Sequence, residues 1–263
     1  MLLEVKNLDI SYGDRLTVTG VNIELDRGEI LTIVGESGSG KTTVIRAIMG
    51  CLPGRGRVSG GSMVFEGRDL LRNTSADWHT MSGKDMSMIF QDSGNMINPI
   101  RRIGEQFVDY IRAHAPEKTA AEAYKMAVEM LEKVRLANPE TVMESYPFEL
   151  SGGMRQRVGI AIAMVFRPKI LLADEPTSAL DVTTQAQIIR QIVDLRNEFN
   201  VAVIIVTHNL GVASYVSNKL LVMKNGCVVE SGSREKVIGT PKDEYTKTLL
   251  NAVPVIGGKC YYE

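Results

Sequence analysis

The stretch IVGESGSGKTTVIRAIMG, residues 33–50, carries an apolar strand into a glycine-rich turn and then into a pattern of helical period. Gly35 and Gly38 allow positive φ and Gly40 lets the backbone come close, so successive N–H groups can point inward at one anion. Lys41 follows at the spacing G-x-x-x-x-G-K-[ST]. There its ammonium can reach the β- and γ-phosphates of a nucleotide, and the Thr42 hydroxyl can ligate a magnesium ion. A helix starting near Gly40 adds the positive end of its dipole. A strand before this turn and a helix after it predict an α/β core.

The rest of the chain agrees with that core. LLEVKNL, VTGVNIEL and EILTIVG alternate as strands do, and SMVFEG at 62–67 continues them after the first helix. From about 101 to 165 the period becomes helical, with GEQFVDYIRAHA and AAEAYKMAVEMLEKVRL apolar on one face and charged on the other. Alternation then returns: strand KILLAD, helix TTQAQIIRQIVDLRNEF, strand VAVIIVT, a short helix, and a hairpin turning at Asn225-Gly226. The expected organisation is one domain over 1–263. Residues of about 1–100 and 166–235 form a β-rich core, about 101–165 an inserted helical subdomain, and about 236–263 a short helical tail.

Composition narrows the function. Thirty basic residues stand against 31 acidic ones, and the net charge of −1 gives no electrostatic case for nucleic acid. Glu4 and Lys6 interrupt what would be a signal core, so no secretory signal is expected. VGIAIAMVF and VAVIIV fall far short of the roughly 20 apolar residues that cross a bilayer. Cys51, Cys227 and Cys260 are odd in number and far apart, which fits reduced thiols rather than disulfides or a metal knuckle. His79, His114 and Trp78 match no motif; the histidines read as solvated and the tryptophan has no assigned role.

ILLADEP at 170–176 sets Asp174 and Glu175 at the C-terminal end of a strand, where ligands bind in open α/β sheets. Asp174 can hold the magnesium through water, and Glu175 can polarise the water that attacks a γ-phosphate. LSGGMRQR at 150–157 places a Ser, two Gly and a helix N-terminus together as a second anion-binding end. This stretch resembles the signature motif of the ATP-binding-cassette (ABC) ATPases, which other phosphate-loop enzymes lack.

The resemblance extends over essentially the whole chain, implies an N-terminal antiparallel β-subdomain beside the phosphate-loop core, and implies roles residue by residue. Gly35, Glu36, Ser37, Gly38, Ser39, Gly40, Lys41, Thr42, Thr43 and Asp174 would bind ATP, and Tyr12 resembles the aromatic that stacks on adenine. Gln91 resembles the glutamine that senses magnesium and attacking water, so that Thr42, Gln91 and Asp174 would serve the Mg2+ ion. Glu175, with Gln91 and the switch-like His208, would carry catalysis. Ser151, Gly152, Gly153 and Gln156 would act in trans on the ATP of a second subunit, and Ser178, Ala179, Leu180 and Asp181 resemble the loop that contacts that subunit.

Three stretches look like those of the peptide and nickel importers within the family: NMINPIRRIGEQF at 95–107, SYPFELSGGMRQRVGIAIAM at 145–164 and PKDEYTKTLLNAVP at 241–254. The resemblance implies an ATPase subunit at the cytoplasmic face of the cell membrane. Its partners would be a second, paralogous ATPase chain, two transmembrane permeases and an extracytoplasmic binding protein. Many such importers carry a C-terminal cysteine cluster for an iron–sulfur centre, whereas only Cys260 stands there, so no such centre is expected. The alternative is a non-transport ABC ATPase of DNA repair or translation. A repair cassette would need heptad arms or a basic face, and a translation cassette a second phosphate turn; neither is present.

Overall fold

A computed structural model describes residues 1–91, 96–178 and 180–252, with backbone alone at 255–256 and 259–260. Asn95, Ala179 and the Cys260 side chain therefore lie outside the described residues. The chain divides into two compact units, residues 1–79 with 202–263, and residues 80–201.

The elements run in chain order as β1 (Leu3–Tyr12), β2 (Arg15–Leu25), β3 (Ile30–Val34), α1 (Lys41–Ile48), β4 (Gly56–Phe65), β5 (Arg68–Asp69), α2 (Ser75–Met81) and β6 (Met86–Ile89). The helices α3 (Ile103–His114), α4 (Ala120–Lys133), α5 (Pro139–Glu144) and α6 (Gly152–Met164) follow. Then come β7 (Ile170–Asp174), α7 (Val182–Phe199), β8 (Ala202–Thr207), α8 (Leu210–Val216), β9 (Lys219–Lys224), β10 (Cys227–Ser233), α9 (Arg234–Gly239) and α10 (Glu244–Asn251).

In the first unit the strands lie in the order β5-β4-β1-β2-β10-β9-β3-β8. β1 is antiparallel to both β2 and β4, and buries Leu3, Val5, Leu8 and Ile10 on its inner face. β3 runs parallel to β8 on one side and β9 on the other. Every residue of β3 and β8 is buried, as expected of parallel strands covered on both faces. α1 buries Val44, Ile45, Ala47 and Ile48. The expected hairpin is present: Asn225 (φ 49°) and Gly226 (φ 83°) both take the positive φ of a two-residue turn between β9 and β10.

In the second unit β6 and β7 pair in parallel, with Met86 opposite Ile170 and Ile89 opposite Ala173. α3 packs on α4 and α5, and α4 on α6, around the fully buried Phe107, Ile111, Leu131 and Val158. The fold is thus α/β, with a mixed sheet and a helical insertion between β6 and β7.

Four local features depart from the sequence reading or add to it. β4 begins at Gly56 rather than near Ser62, because its first half is a ladder to β1 with little apolar alternation. Beyond α10 two short strands, β11 (Val255–Ile256) and β12 (Lys259–Cys260), pair antiparallel where only helix was expected. Trp78 is half-buried over the end of α1, where a Cβ on Gly50 would meet its ring at 2.5 Å. His114 is half-buried too, edge-on to Tyr110 with ring centroids 4.7 Å apart and 5.8 Å from Phe166. Both rings contribute packing rather than solvation.

Candidate functional site

The glycine-rich turn leaves β3 at Val34 and enters α1 at Lys41. Gly38 (φ 80°) and Gly40 (φ 99°) take conformations that side chains resist. Lys41 is only 4% exposed, and its ammonium donates to the carbonyls of Gly35 (2.8 Å) and Glu36 (2.7 Å). The turn is further tied by Ser39 N–H to Glu36 O (3.2 Å) and by Gly226 N–H to Ser39 O (3.1 Å). The turn therefore holds a desolvated cation against its own backbone, and that cation is available to a polyanion that competes for it.

Gly35 is required by space. A Cβ there would lie 2.2 Å from the carbonyl oxygen of Met223 on β9 and 2.8 Å from Ser39 Oγ. Gly35→Ala must displace backbone, and we expect a loss of about 1–3 kcal/mol of stability, read as a lower denaturant midpoint. An unchanged midpoint would show that the turn does not press on β9 as described.

His208 follows β8 directly and is exposed. Val34 and Thr207 are paired residues at the ends of parallel strands, so His208 and the turn leave the sheet from the same edge. Thr207 Oγ1 accepts from Asn209 N–H (3.0 Å), and Asn209 Oδ1 in turn caps α8 at Val212 N–H (3.2 Å), which fixes the backbone around the imidazole. Tyr12, half-buried at the end of β1, lies against the chain after α1: a Cβ on Gly56 would meet its Cε1 at 2.7 Å.

In the second unit β7 is buried throughout and ends on Asp174, whose side chain is wholly buried. Glu175 is half-buried at φ 44°. A non-glycine residue there costs about 1 kcal/mol or more, a strain typical of functional positions. Ser178 N–H donates to Glu175 O (3.2 Å) and closes the turn. Gln91, exposed just past β6, leaves the parallel pair from the same edge as these two carboxylates.

The helix start at 151–153 comes together with Leu180 and the first turn of α7. Ser151 caps α6 by accepting from Met154 N–H (3.3 Å), and Asp181 caps α7 by accepting from Thr184 N–H (3.0 Å). That amide bond holds the Asp181 carboxyl below its usual range. A Cβ on Gly153 would meet Thr184 Cγ2 at 2.8 Å, and one on Gly152 would meet Leu180 Cδ2 at 3.8 Å. Two helix N-termini thus lie side by side, with Ser151 and Gly152 exposed. Gln156 differs from its three companions: it is buried, and its amide donates to Pro176 O (2.7 Å), which ties α6 to the turn after Glu175. Sequence spacing gave no sign of that inward direction, nor of a contact described below between Glu36 and Tyr245.

A profile described as ABC transporter matches residues 18–178. The chain is 45% identical over 258 residues to the oligopeptide transport ATP-binding protein OppD of Salmonella typhimurium, covering 97% of this chain and 76% of that protein. It is 39% identical over 259 residues to the dipeptide transport ATP-binding protein DppD of Lactococcus lactis, covering 97% and 74%. Among solved structures, a dimeric ATP-binding cassette in a post-hydrolysis state with ADP and Pi superposes with TM-score 0.77 at 27% identity, over 89% of this chain and 99% of that one. Another, cbiO1 of Clostridium perfringens, described as part of an ABC transporter complex, gives TM-score 0.78 at 25% identity over 96% of both chains.

Proposed function

The chain belongs to the ABC transporter family, and from that premise we propose that it binds and hydrolyses ATP to drive peptide import through separate membrane subunits. The observation that carries this reading is the 45% identity, over 97% of the chain, to an oligopeptide transport ATP-binding protein. Both relatives described above are peptide transport proteins, which favours peptides over nickel or metal chelates as cargo. The test is ATP hydrolysis by this chain assembled with its permeases in liposomes. Binding protein loaded with peptide should stimulate it, and loaded with nickel chelate should not; the reverse pattern would overturn the cargo.

In this reading the turn at 35–43 wraps the β- and γ-phosphates, and Lys41 exchanges its carbonyl partners for phosphate oxygens. Tyr12 stacks on the adenine, and Glu175 polarises the attacking water while Gln91 and His208 orient water and γ-phosphate. The Thr42 hydroxyl, the Asp174 carboxylate and the Gln91 amide are hard oxygen donors of the kind Mg2+ takes. Bound there, the ion would offset phosphate charge.

Ser151, Gly152 and Gly153 serve the ATP of a second ATPase chain, and Ser178 to Asp181 face that chain. Support comes from the exposed pair of helix N-termini, which suit an anion supplied from outside. Gln156 contributes by bracing that pair against the Glu175 turn. ATP joins the two subunits and hydrolysis lets them part, so that docked permeases alternate between two states. Among the described residues no helix is long and apolar enough to cross a membrane; we place the chain peripherally, on the cytoplasmic face, beside two permeases and an external binding protein.

Ser151→Arg tests the two-sided site. The substitution removes the α6 cap, at a cost of about 1 kcal/mol, and sets a bulky side chain where the partner's phosphate would sit. ATP affinity of the isolated chain should stay within about twofold, while ATPase of the assembled complex falls at least about tenfold. Lost affinity in the isolated chain with complex activity intact would overturn the arrangement in trans.

A further inference from the structure

The helix α10 has no part in the chemistry above, yet it touches the nucleotide turn. Its start is anchored to β10, where the Glu230 carboxylate accepts from Lys242 N–H (2.8 Å) and Asp243 N–H (3.2 Å). Asp243 then caps the helix at Tyr245 N–H (2.8 Å). Tyr245 is 8% exposed and packs with Leu220, Val222, Val237 and Val34, the last residue before the turn. The Lys224 ammonium lies 4.7 Å from its ring centroid. So placed, the ring has little freedom to turn.

The hydroxyl of this ring accepts a hydrogen bond from Glu36 N–H at 3.0 Å. Glu36 N–H and Gly35 C=O are the two poles of one peptide unit, and the Gly35 oxygen is the one that Lys41 Nζ reaches at 2.8 Å. The first peptide of the turn is therefore held at both poles: by the phosphate-binding lysine on one side, and on the other by a residue 209 positions away. Rotation of that peptide would move the carbonyl against which Lys41 rests and would tilt the N–H groups that follow it. Hydrogen bonds in series through one peptide also polarise one another. Burial pushes the Tyr245 phenol up, so the group remains a neutral hydroxyl at physiological pH.

We propose that Tyr245 is a positioning residue for ATP binding: through its hydrogen bond to Glu36 N–H, the C-terminal helix sets the orientation of the phosphate-binding turn and thereby the affinity for ATP. This rests on the reading that residues 35–43 hold the phosphates of ATP. It gives the described part of the stretch 241–254, residues 241–252, a role in this chain, as the strut of the nucleotide turn.

Tyr245→Phe keeps the ring and its packing and removes only the hydroxyl. ATP affinity of the isolated chain, measured by calorimetry, should weaken about fivefold, which is about 1 kcal/mol. In the assembled complex KM for ATP should rise by the same factor, with kcat within about twofold. Leu249→Ala is the control, since Leu249 packs on the same cluster and its side chain has no group that can hydrogen-bond the turn. It should lower the unfolding midpoint and leave ATP affinity alone. Unchanged affinity in Tyr245→Phe, or an equal loss in Leu249→Ala, would overturn the proposal. Failure of the unaltered chain to bind ATP would instead remove the nucleotide-turn reading, and the proposal with it.

Discussion

Glu175→Gln should leave ATP binding by the isolated chain within about threefold of the original and cut ATP hydrolysis by the assembled complex at least a hundredfold. The substitution keeps the size of the side chain and removes the charge that accepts a proton from water. A positioned general base contributes about 10²–10⁴ in rate, so most of that factor is at stake in one atom exchange. The backbone is compatible with the substitution. Glu175 sits at φ 44° immediately after the buried end of β7, a conformation that a helix or strand residue avoids. Gln156 fixes the next residue from α6 through Pro176 O at 2.7 Å, so Gln at 175 inherits the same turn and no refolding is needed. ATPase within tenfold of the original, in a complex that still binds ATP, would take the role of base away from Glu175.

Much of this architecture is legible in the sequence because it is local. The turn at 35–42 declares itself by glycine and lysine spacing, the buried strands β7 and β8 by the apolar runs ILLA and AVIIV, and β3 by the alternation in EILTIVG. Asn225-Gly226 specifies its hairpin by the φ values those two residues alone tolerate cheaply. Legibility fails where a residue's partner is distant in sequence. Nothing near Tyr245 announces Glu36, and nothing near Gln156 announces that its amide turns inward to Pro176. His114 has polar neighbours in sequence, which suggests solvation, yet Tyr110 and Phe166 receive it, and Trp78, to which the sequence assigns no role, covers Gly50. His114 could have been found, because it stands at i+4 from Tyr110 on one helix face. β4 escaped in its first half because Gly60 and Gly61 carry no pattern. The reason for Gly61 lies in β1, where a Cβ would come within 2.4 Å of Asn7 O.

Lys41→Ala should weaken ATP binding by the isolated chain at least about thirtyfold, far more than Tyr245→Phe, and the contrast separates the group that touches phosphate from the group that aims it. Lys41 is 4% exposed and donates to two carbonyls, so its charge is already stripped of most water before nucleotide arrives. Exchanging neutral carbonyls for phosphate oxygens then gains charge-assisted bonds at little further desolvation cost. Truncating one member of such a buried pair typically costs about 2–5 kcal/mol, because the phosphate charge is left in the turn without its cation. Lys41→Arg should not restore binding. A guanidinium is a planar fork rather than a compact point charge, and the space between the Gly35 and Glu36 carbonyls is shaped by the glycine that cannot carry a Cβ. Stability should change less than affinity in both variants, since removing the lysine also removes the cost of burying it. Calorimetric titration of ATP into each isolated chain decides the matter: affinity within about threefold of the original for Lys41→Ala would mean that the backbone N–H groups hold the phosphates without the lysine.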